Sequence, residues 1–295
     1  MRTGRLLLLF GLAATLVAPA AAPAVATSSA PVVPTLVGIR AAHHPGFDRV
    51  VFDFTGGLPR SRQVGYVSQL IADPSGQRVR IAGRAILQVR LEQTNAHTSA
   101  GRVTAPGRVA FALPNVMTVV RSGDFEAVTT YGIGLAKRES FRTFTLSNPS
   151  RFVIDIRAAF PTVLRKVYFF NQSRFLANRP PFFTPVLRPV RPFTPATGVM
   201  DRLFAGPLPS ESAQGLRLVL SRATGFTALR ISDTIARVQL TGGCSSGGST
   251  ITIAGEILPG LRQFSTVDHV KIYDPAGRTE TPTGHRDSIP ECLEP

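Results

Sequence analysis

The sequence lacks a second long apolar run. Leu6 to Ala18 is apolar, but no later segment approaches the roughly 20 apolar residues that a transmembrane helix needs. A transmembrane anchor in the body of the chain is therefore not expected. The chain also has no tryptophan, and charged residues make up 17% of it. This composition is typical of a globular protein rather than of a disordered one.

The first 26 residues have the three-part pattern of a secretory signal peptide. Arg2 and Arg5 form a basic start, the apolar run follows, and Ala24-Val25-Ala26 offers small residues for cleavage. The alternative is a retained membrane anchor, but Pro19 and Pro23 interrupt the run too early for one. No cysteine stands at the cleavage point, so a lipid anchor is not expected either. The sequence therefore predicts a secreted, extracytoplasmic protein.

Cysteine is scarce, and its two positions carry a prediction. Cys244 and Cys292 both lie in the C-terminal third of the chain. In an exported protein an even pair of cysteines favours a disulfide over two free thiols. We therefore expect a bridge between Cys244 and Cys292.

Acidic residues are few, with 18 Asp and Glu against 33 Lys and Arg, so the formal net charge is +15. Inside a cell such a charge would indicate nucleic acid, but an exported protein meets other polyanions. These are teichoic acids, phosphorylated glycans, anionic lipid headgroups and peptide carboxylates. Charge alone names a class of partner, and arginine can also serve solubility. No nucleic acid partner is expected.

Residues 37–156 show an apolar period of two, which is typical of strands. Val50, Phe52 and Phe54 point one way, while Arg49 and Asp53 point the other. Two short β-rich runs, Phe141 to Leu146 and Arg151 to Ile156, are joined by four residues with the composition of a hairpin turn. No helical stripe interrupts the region. The pattern predicts an all-β sandwich of some six to eight strands.

A basic, proline-rich stretch follows at residues 171–197. Between Ile156 and Met200 there are seven basic residues and seven prolines but no acid. We expect no regular element from Pro180 to Pro195, because proline removes a backbone donor and fixes φ. One interpretation is a basic arm that binds an anionic wall polymer through Arg179, Arg188 and Arg191. The other, which the composition favours, is an exposed loop.

The period changes to that of helices after Thr197. Val199, Met200, Leu203 and Phe204 share one helical face, and Gly206-Pro207 should end that helix. A second helix is expected around Ile253 to Phe264, kinked or broken at Pro259-Gly260. Strands are predicted at residues 166–170, 216–220, 226–231, 236–240 and 267–273. The order predicts a two-layer α/β sandwich, so the whole chain is α+β with two domains.

Three sequence blocks resemble the actinobacterial AMIN-like domain. They are Gly46-Phe-Asp-Arg-Val-Val-Phe-Asp-Phe-Thr-Gly-Gly57, Gly123-Asp-Phe-Glu-Ala-Val-Thr-Thr-Tyr-Gly-Ile-Gly134 and Phe141-Arg-Thr-Phe-Thr-Leu-Ser-Asn-Pro-Ser-Arg-Phe-Val-Ile-Asp-Ile156. AMIN domains are β-sandwich modules that hold envelope proteins at the cell wall. The resemblance implies such a module at residues 34–160 and association with the wall.

The second half, residues 163–292, is similar to the GerMN domain of sporulation and spore-germination proteins. The similar segments are Lys166-Val-Tyr-Phe-Phe170, Leu203-Phe-Ala-Gly-Pro207, Ala236-Arg-Val-Gln-Leu240 and Val270-Lys-Ile-Tyr-Asp274. This resemblance implies a non-catalytic module that builds rings in envelope complexes. Pro259-Gly260 departs from the smooth helix of the family.

Candidate chemistry is sparse. The five histidines do not form a zinc-amidase pattern, and adjacent His43 and His44 would point to opposite faces of a strand. Asp124 and Glu126 could share a strand face, but a solvated turn explains them better. No nucleophile-elbow pattern is present. We expect no enzyme activity, no catalytic residue, no metal site and no cofactor.

Binding candidates come from the sandwich as well as from the basic stretch. Arg40 and Tyr131, with Phe125, could form a surface that stacks on sugars, although core packing explains the aromatics equally well. The preferred hypothesis is a wall-associated adaptor that binds peptidoglycan or an anionic wall glycan with its first half and an envelope protein with its second. A homo-oligomeric scaffold built on GerMN contacts is the alternative. An orphan envelope hydrolase is a minor one.

Overall fold

The computed structural model describes Met1 and residues 32–295 of the chain. The predicted signal peptide, residues 1–26, lies outside the described residues apart from Met1. Residues 33–295 form one compact unit. Within residues 32–295, no helix is long and apolar enough to cross a bilayer.

The first half is built from nine strands in two antiparallel sheets. The four-stranded sheet has the order β1-β2-β9-β8 and the five-stranded sheet the order β3-β4-β7-β6-β5. The strands are β1 Thr35–His44, β2 Phe47–Thr55, β3 Ser61–Val67, β4 Ala85–Glu92, β5 Arg108–Ala110, β6 Val116–Phe125, β7 Val128–Leu135, β8 Phe141–Leu146 and β9 Arg151–Arg157.

The two sheets pack face to face over a shared core, as the alternating pattern predicts. Val50 and Phe52 of β2 enter this core from one sheet, and Leu87 and Ile133 enter it from the other. All four are completely buried. The predicted hairpin is confirmed, since Leu146 of β8 pairs with Arg151 of β9. The all-β first half is therefore a sandwich.

The second half contains two three-stranded sheets and four helices. The sheet orders are β11-β10-β12 and β13-β14-β15, in which β14 and β15 are parallel. The strands are β10 Val163–Asn171, β11 Phe183–Val190, β12 Leu216–Arg217, β13 Ala223–Ser232, β14 Ile235–Gly242 and β15 His269–Tyr273. The helices are α1 Gln172–Leu176, α2 Pro195–Ala205, α3 Pro209–Ala213 and α4 Ala254–Arg262.

One expectation about proline in this half is wrong. The stretch from Pro180 to Pro195 does contain a regular element, because β11 pairs with β10 from Phe183 to Val190. Since β11 lies at the edge of its sheet, Pro185 and Pro189 can sit where no ladder donor is needed. The second helix is confirmed as α4, and of the kink or break expected at Pro259-Gly260 the break does not occur, because α4 continues through Pro259.

The disulfide between Cys244 and Cys292 is confirmed, with Cα atoms 5.7 Å apart. It closes a loop of 48 residues and joins the segment before α4 to the C-terminal end. In a chain-entropy account a loop of this length contributes about 4 kcal/mol of stability.

The two halves share an interface rather than a bare linker. Ala82 and Met117 of the first half belong to the apolar core formed by α2, α4 and the second-half strands. From the other side, Arg202 of α2 is completely buried and donates to backbone carbonyls of the first half, including Phe111 at 3.0 Å and Pro114 at 3.2 Å. The fold thus inserts a charged helix side chain into a first-half loop.

Candidate functional site

The four-stranded sheet has an outer face that the second sheet does not cover. Because side chains alternate along a strand, β2 and β9 send their even-numbered residues into the core and their odd-numbered residues outward. The strand register aligns the outward residues in cross-strand rows. We call this surface the outer face; its polar and aromatic members are Arg40, His44, Phe47, Arg49, Asp53, Arg142, Phe144, Arg151, Asp155 and Arg157.

Asp155 lies at the centre of the outer face, between two arginines on neighbouring strands. It pairs with Arg49 of β2 and with Arg142 of β8 in one row. Its carboxylate accepts from Arg49 Nε at 2.6 Å and Nη2 at 2.9 Å, and from Arg142 Nε at 3.0 Å and Nη2 at 2.8 Å. Burial would raise the pKa of Asp155, but these hydrogen bonds and charges outweigh it and lower the pKa.

Two phenylalanine rings support the arginine pair. The Arg49 guanidinium lies 5.3 Å from the centroid of Phe47 and 5.2 Å from that of Phe144, and Arg142 lies 5.9 Å from both. His44 stacks on Phe47 with centroids 5.0 Å apart. Such cation–π contacts hold each guanidinium plane in a defined orientation. The side chain of Arg142 nevertheless remains 71% exposed.

The outer face is cationic as a whole. It carries five arginines and two aspartates, and Arg40 pairs with Asp53 at 2.9 Å while its own side chain stays more than half exposed. Within residues 32–295, Nη1 of Arg49 and Nη1 of Arg142 have no protein acceptor. Guanidinium donors held in a fixed orientation, half-buried at Arg49 and exposed at Arg142, suit the hydroxyl, carboxylate and phosphate oxygens of a wall polymer.

Tyr131 is not part of a binding surface, which corrects the sequence-based interpretation. It is 0% exposed in the sandwich core, where its ring lies 5.8 Å from that of Phe52. Its hydroxyl donates to Pro106 O at 3.3 Å, and burial raises its pKa. Arg40 lies on the opposite side of the four-stranded sheet, so the structure does not bring these two candidates together.

The three arginines of the basic stretch lie in three different environments. Arg179 is exposed beside α1, and Arg191 is half-buried in a cavity between the halves that Arg84 and Asp201 also line. Arg188 is only 2% exposed and forms a salt bridge with Glu211 of α3. The interpretation of this stretch as an exposed basic arm or loop is therefore wrong at Arg188, because β11 directs that side chain inward.

Sequence reasoning missed Arg142, Phe144 and Asp155. Their alternation with apolar residues is visible in the sequence, but it shows only that they share one face of a hairpin. That they meet Arg49 and Phe47 depends on β9 pairing with β2 about a hundred residues away. The hairpin register, counted outward from the predicted turn, could have placed Arg142 opposite Asp155.

The candidate acidic pair at Asp124 and Glu126 does not form. Glu126 lies in the turn between β6 and β7 with φ at 49°, so it does not follow the strand alternation. Asp124 instead accepts from Ala96 N at 2.9 Å and from Thr129 Oγ1 and His97 Nδ1 at 2.8 Å each. No group of three potential metal ligands converges within the described part of the chain.

A family model for the AMIN-like domain matches residues 34–158. This confirms the sequence resemblance of the first half, and the matched range contains all ten members of the outer face. No curated protein and no solved structure matches the chain.

Proposed function

We propose that this is an exported, non-catalytic cell-envelope protein that binds a cell-wall polymer through the outer face of its AMIN-like half. The observation that carries the proposal is the paired Arg49 and Arg142, oriented by Asp155 and two phenylalanine rings on an open sheet face. AMIN domains are envelope modules, and the match at residues 34–158 includes this whole surface. Peptidoglycan and anionic wall glycans both present the oxygen acceptors that the guanidinium groups require.

The proposal is tested with a double variant of the outer face, Arg142→Gln with Phe144→Ala. Asp155 keeps Arg49 as its partner in this variant, so the sandwich should remain folded. Binding to purified sacculi should fall by about tenfold or more, because two oriented contacts are lost. The measurement is co-sedimentation with sacculi that retain or lack teichoic acid, which separates peptidoglycan from the anionic glycan.

A matched control removes the same residue types elsewhere. Arg60 and Phe193 are exposed, and Arg60 has no ion pair among the described residues. The control Arg60→Gln with Phe193→Ala should bind sacculi like the unaltered protein. Equal loss in both double variants would show that binding follows net charge alone and would contradict a role for the outer face.

A second candidate function, contact with an envelope protein, rests on the β10–β11 hairpin. Leu164 and Leu187 point to the same side of this hairpin and are 59% and 55% exposed. Exposed apolar side chains that lie together favour a protein contact, either with a partner or with a second copy in a GerMN-like scaffold. Sedimentation velocity of the mature protein distinguishes the two, because a scaffold sediments as an oligomer and an adaptor as a monomer.

A further inference from the structure

A cleft of about 620 Å³ lies between the two halves, away from the outer face. From the first half, Arg80, Arg108 and Val109 line it; from the second, Pro207 and Leu218 do. This volume is in the range of small-molecule sites. Most of its walls are apolar, so the two arginines stand out as the charged groups that face the cleft.

Neither arginine has an acidic partner. Within residues 32–295, no carboxylate lies within 4.0 Å of either guanidinium, and residues 2–31 contain neither Asp nor Glu. Arg80 Nη1 donates to Phe204 O at 2.8 Å, and Arg108 Nη2 donates to the backbone oxygen of Arg80. These backbone contacts orient both groups but neutralise neither.

One nitrogen in this pair is buried without any hydrogen-bond partner. Arg108 Nη1 is the sole buried side-chain nitrogen or oxygen in the described residues for which no acceptor or donor is found. Such an atom is costly, because a buried donor that loses water and gains nothing forfeits its hydration. Because the atom is closed to water, it adds to the cost of holding this charge between the halves, and an anion in the cleft would offset that cost electrostatically.

The pKa values of Arg80 and Arg108 also favour an anionic ligand in the cleft. Burial, and then the nearby positive charge of Arg80, lowers the pKa of Arg108 to about 10, and burial also lowers the pKa of Arg80. Both shifts agree with the geometry, in which two partly buried positive charges lie close together without a carboxylate partner. An anionic ligand would offset the cost of burying these charges.

We propose that this cleft binds a phosphate group, with Arg80 and Arg108 as its ligands. Two uncompensated cations match the charge of a phosphate monoester, about −1.5 to −2 at pH 7, better than the single charge of a carboxylate. The planar guanidinium group also suits paired phosphate oxygens. The apolar walls leave room for the body of a small phosphorylated molecule. Free phosphate and a phosphate ester share this chemistry.

The test is calorimetric titration of the full mature protein at constant ionic strength with inorganic phosphate, glycerol 3-phosphate and acetate. The two phosphate compounds should bind with one site per chain, and acetate should bind at least about tenfold more weakly. Tighter binding of glycerol 3-phosphate assigns the site to an ester, and tighter binding of inorganic phosphate assigns it to the free ion. Either result supports the proposal.

Variants locate the site. Arg80→Gln and Arg108→Gln should each weaken phosphate binding by about tenfold or more, because each removes a charge-assisted contact. The control is Arg60→Gln with Arg230→Gln, which removes two exposed arginines from elsewhere on the molecule and should leave phosphate binding unchanged. Arg108→Lys, which keeps the charge, should retain part of the affinity if Arg108→Gln proves unstable.

Three results would overturn the proposal. They are the absence of phosphate binding by the unaltered protein, binding of acetate as tight as that of phosphate, and an unchanged phosphate affinity of the Arg80→Gln variant. None of these bears on the outer face, since Arg142→Gln with Phe144→Ala should bind phosphate normally. Failure of the cleft and failure of wall binding are therefore distinguishable.

Discussion

Two neighbouring charged residues of α2, Asp201 and Arg202, have different kinds of partner in the first half. Arg202 is surrounded by backbone carbonyls of the first half, and burial lowers its pKa to about 9. Asp201, its neighbour in α2, instead accepts from Arg84 Nε at 2.8 Å across the interface. Burial raises the pKa of Asp201 to about 6, although Arg84 and Arg202 act in the opposite direction. The two residues therefore respond differently to pH.

The first prediction concerns Asp201. Because its folded-state pKa lies above the value of about 3.9 in an unfolded chain, its protonation favours folding. That contribution is complete below about pH 3.9 and is lost as the pH rises through about 6. The Asp201→Asn variant has no carboxyl group at this position, so its stability lacks this pH-dependent contribution. The stability of the unaltered protein relative to this variant should therefore fall by up to about 3 kcal/mol between pH 4 and pH 7.

Urea unfolding of both proteins at pH 4, 5, 6 and 7 checks this difference. Asp268→Asn, which removes an exposed carboxylate from the same half, controls for the loss of one negative charge. A stability difference between Asp201→Asn and the unaltered protein that stays constant over the range would show that Asp201 is not protonated preferentially in the folded state.

Whether a proline destabilises a strand or a helix depends on its position in that element. In β11 the prolines at 185 and 189 occupy alternate sites of an edge strand, where missing donors cost little. In α4, by contrast, Pro259 lies inside the helix and removes one intrahelical hydrogen bond. The helix persists because Ile257 and Leu261 are completely buried against the second core. Tertiary packing therefore outweighs a local helix breaker.

The second prediction concerns the cost of Pro259 to the stability of α4. Pro259→Ala should raise the free energy of unfolding by about 1–3 kcal/mol, because alanine restores the backbone donor and has a higher helix propensity. The control Pro275→Ala, at an exposed turn, should give no such gain, since proline there restricts only the unfolded chain. Chemical denaturation measures both, and a destabilised Pro259→Ala would mean that α4 requires the proline geometry.

At the scale of the whole molecule, the interface determines how the halves depend on each other. The sequence predicts that each half folds alone, and this stays a prediction. From the interface we expect each half to be less stable alone than in the full chain. Arg202 would lose its carbonyl acceptors in the first half, and Met117 would lose its contacts in the second core.

The third prediction tests that dependence. Fragments 33–160 and 161–295 should each unfold in a single transition, but at lower temperatures than the full chain. Differential scanning calorimetry of the three proteins, with the disulfide intact, gives the comparison. A fragment that melts at the same temperature as the full chain would show that the interface contributes nothing to that half.

Features that depend on short-range pattern can be read from the sequence alone. The alternation of Val50 and Phe52 with Arg49 assigns their faces, the turn after Leu146 sets the β8–β9 register, and the presence of two cysteines predicts one bridge between them. Each follows from strand periodicity, turn chemistry or redox environment, which act within a few residues or on the chain as a whole.

Which faces are covered depends on how distant elements pack together. An alternating pattern places Tyr131 on one side of a strand, but the packing of a second sheet makes that side the core. Arg80 and Arg108 face a cleft because the end of α2 lies against them, more than ninety residues along the chain. The burial and the ion pairs of a residue depend on such neighbours from distant parts of the chain, so the local sequence cannot specify them.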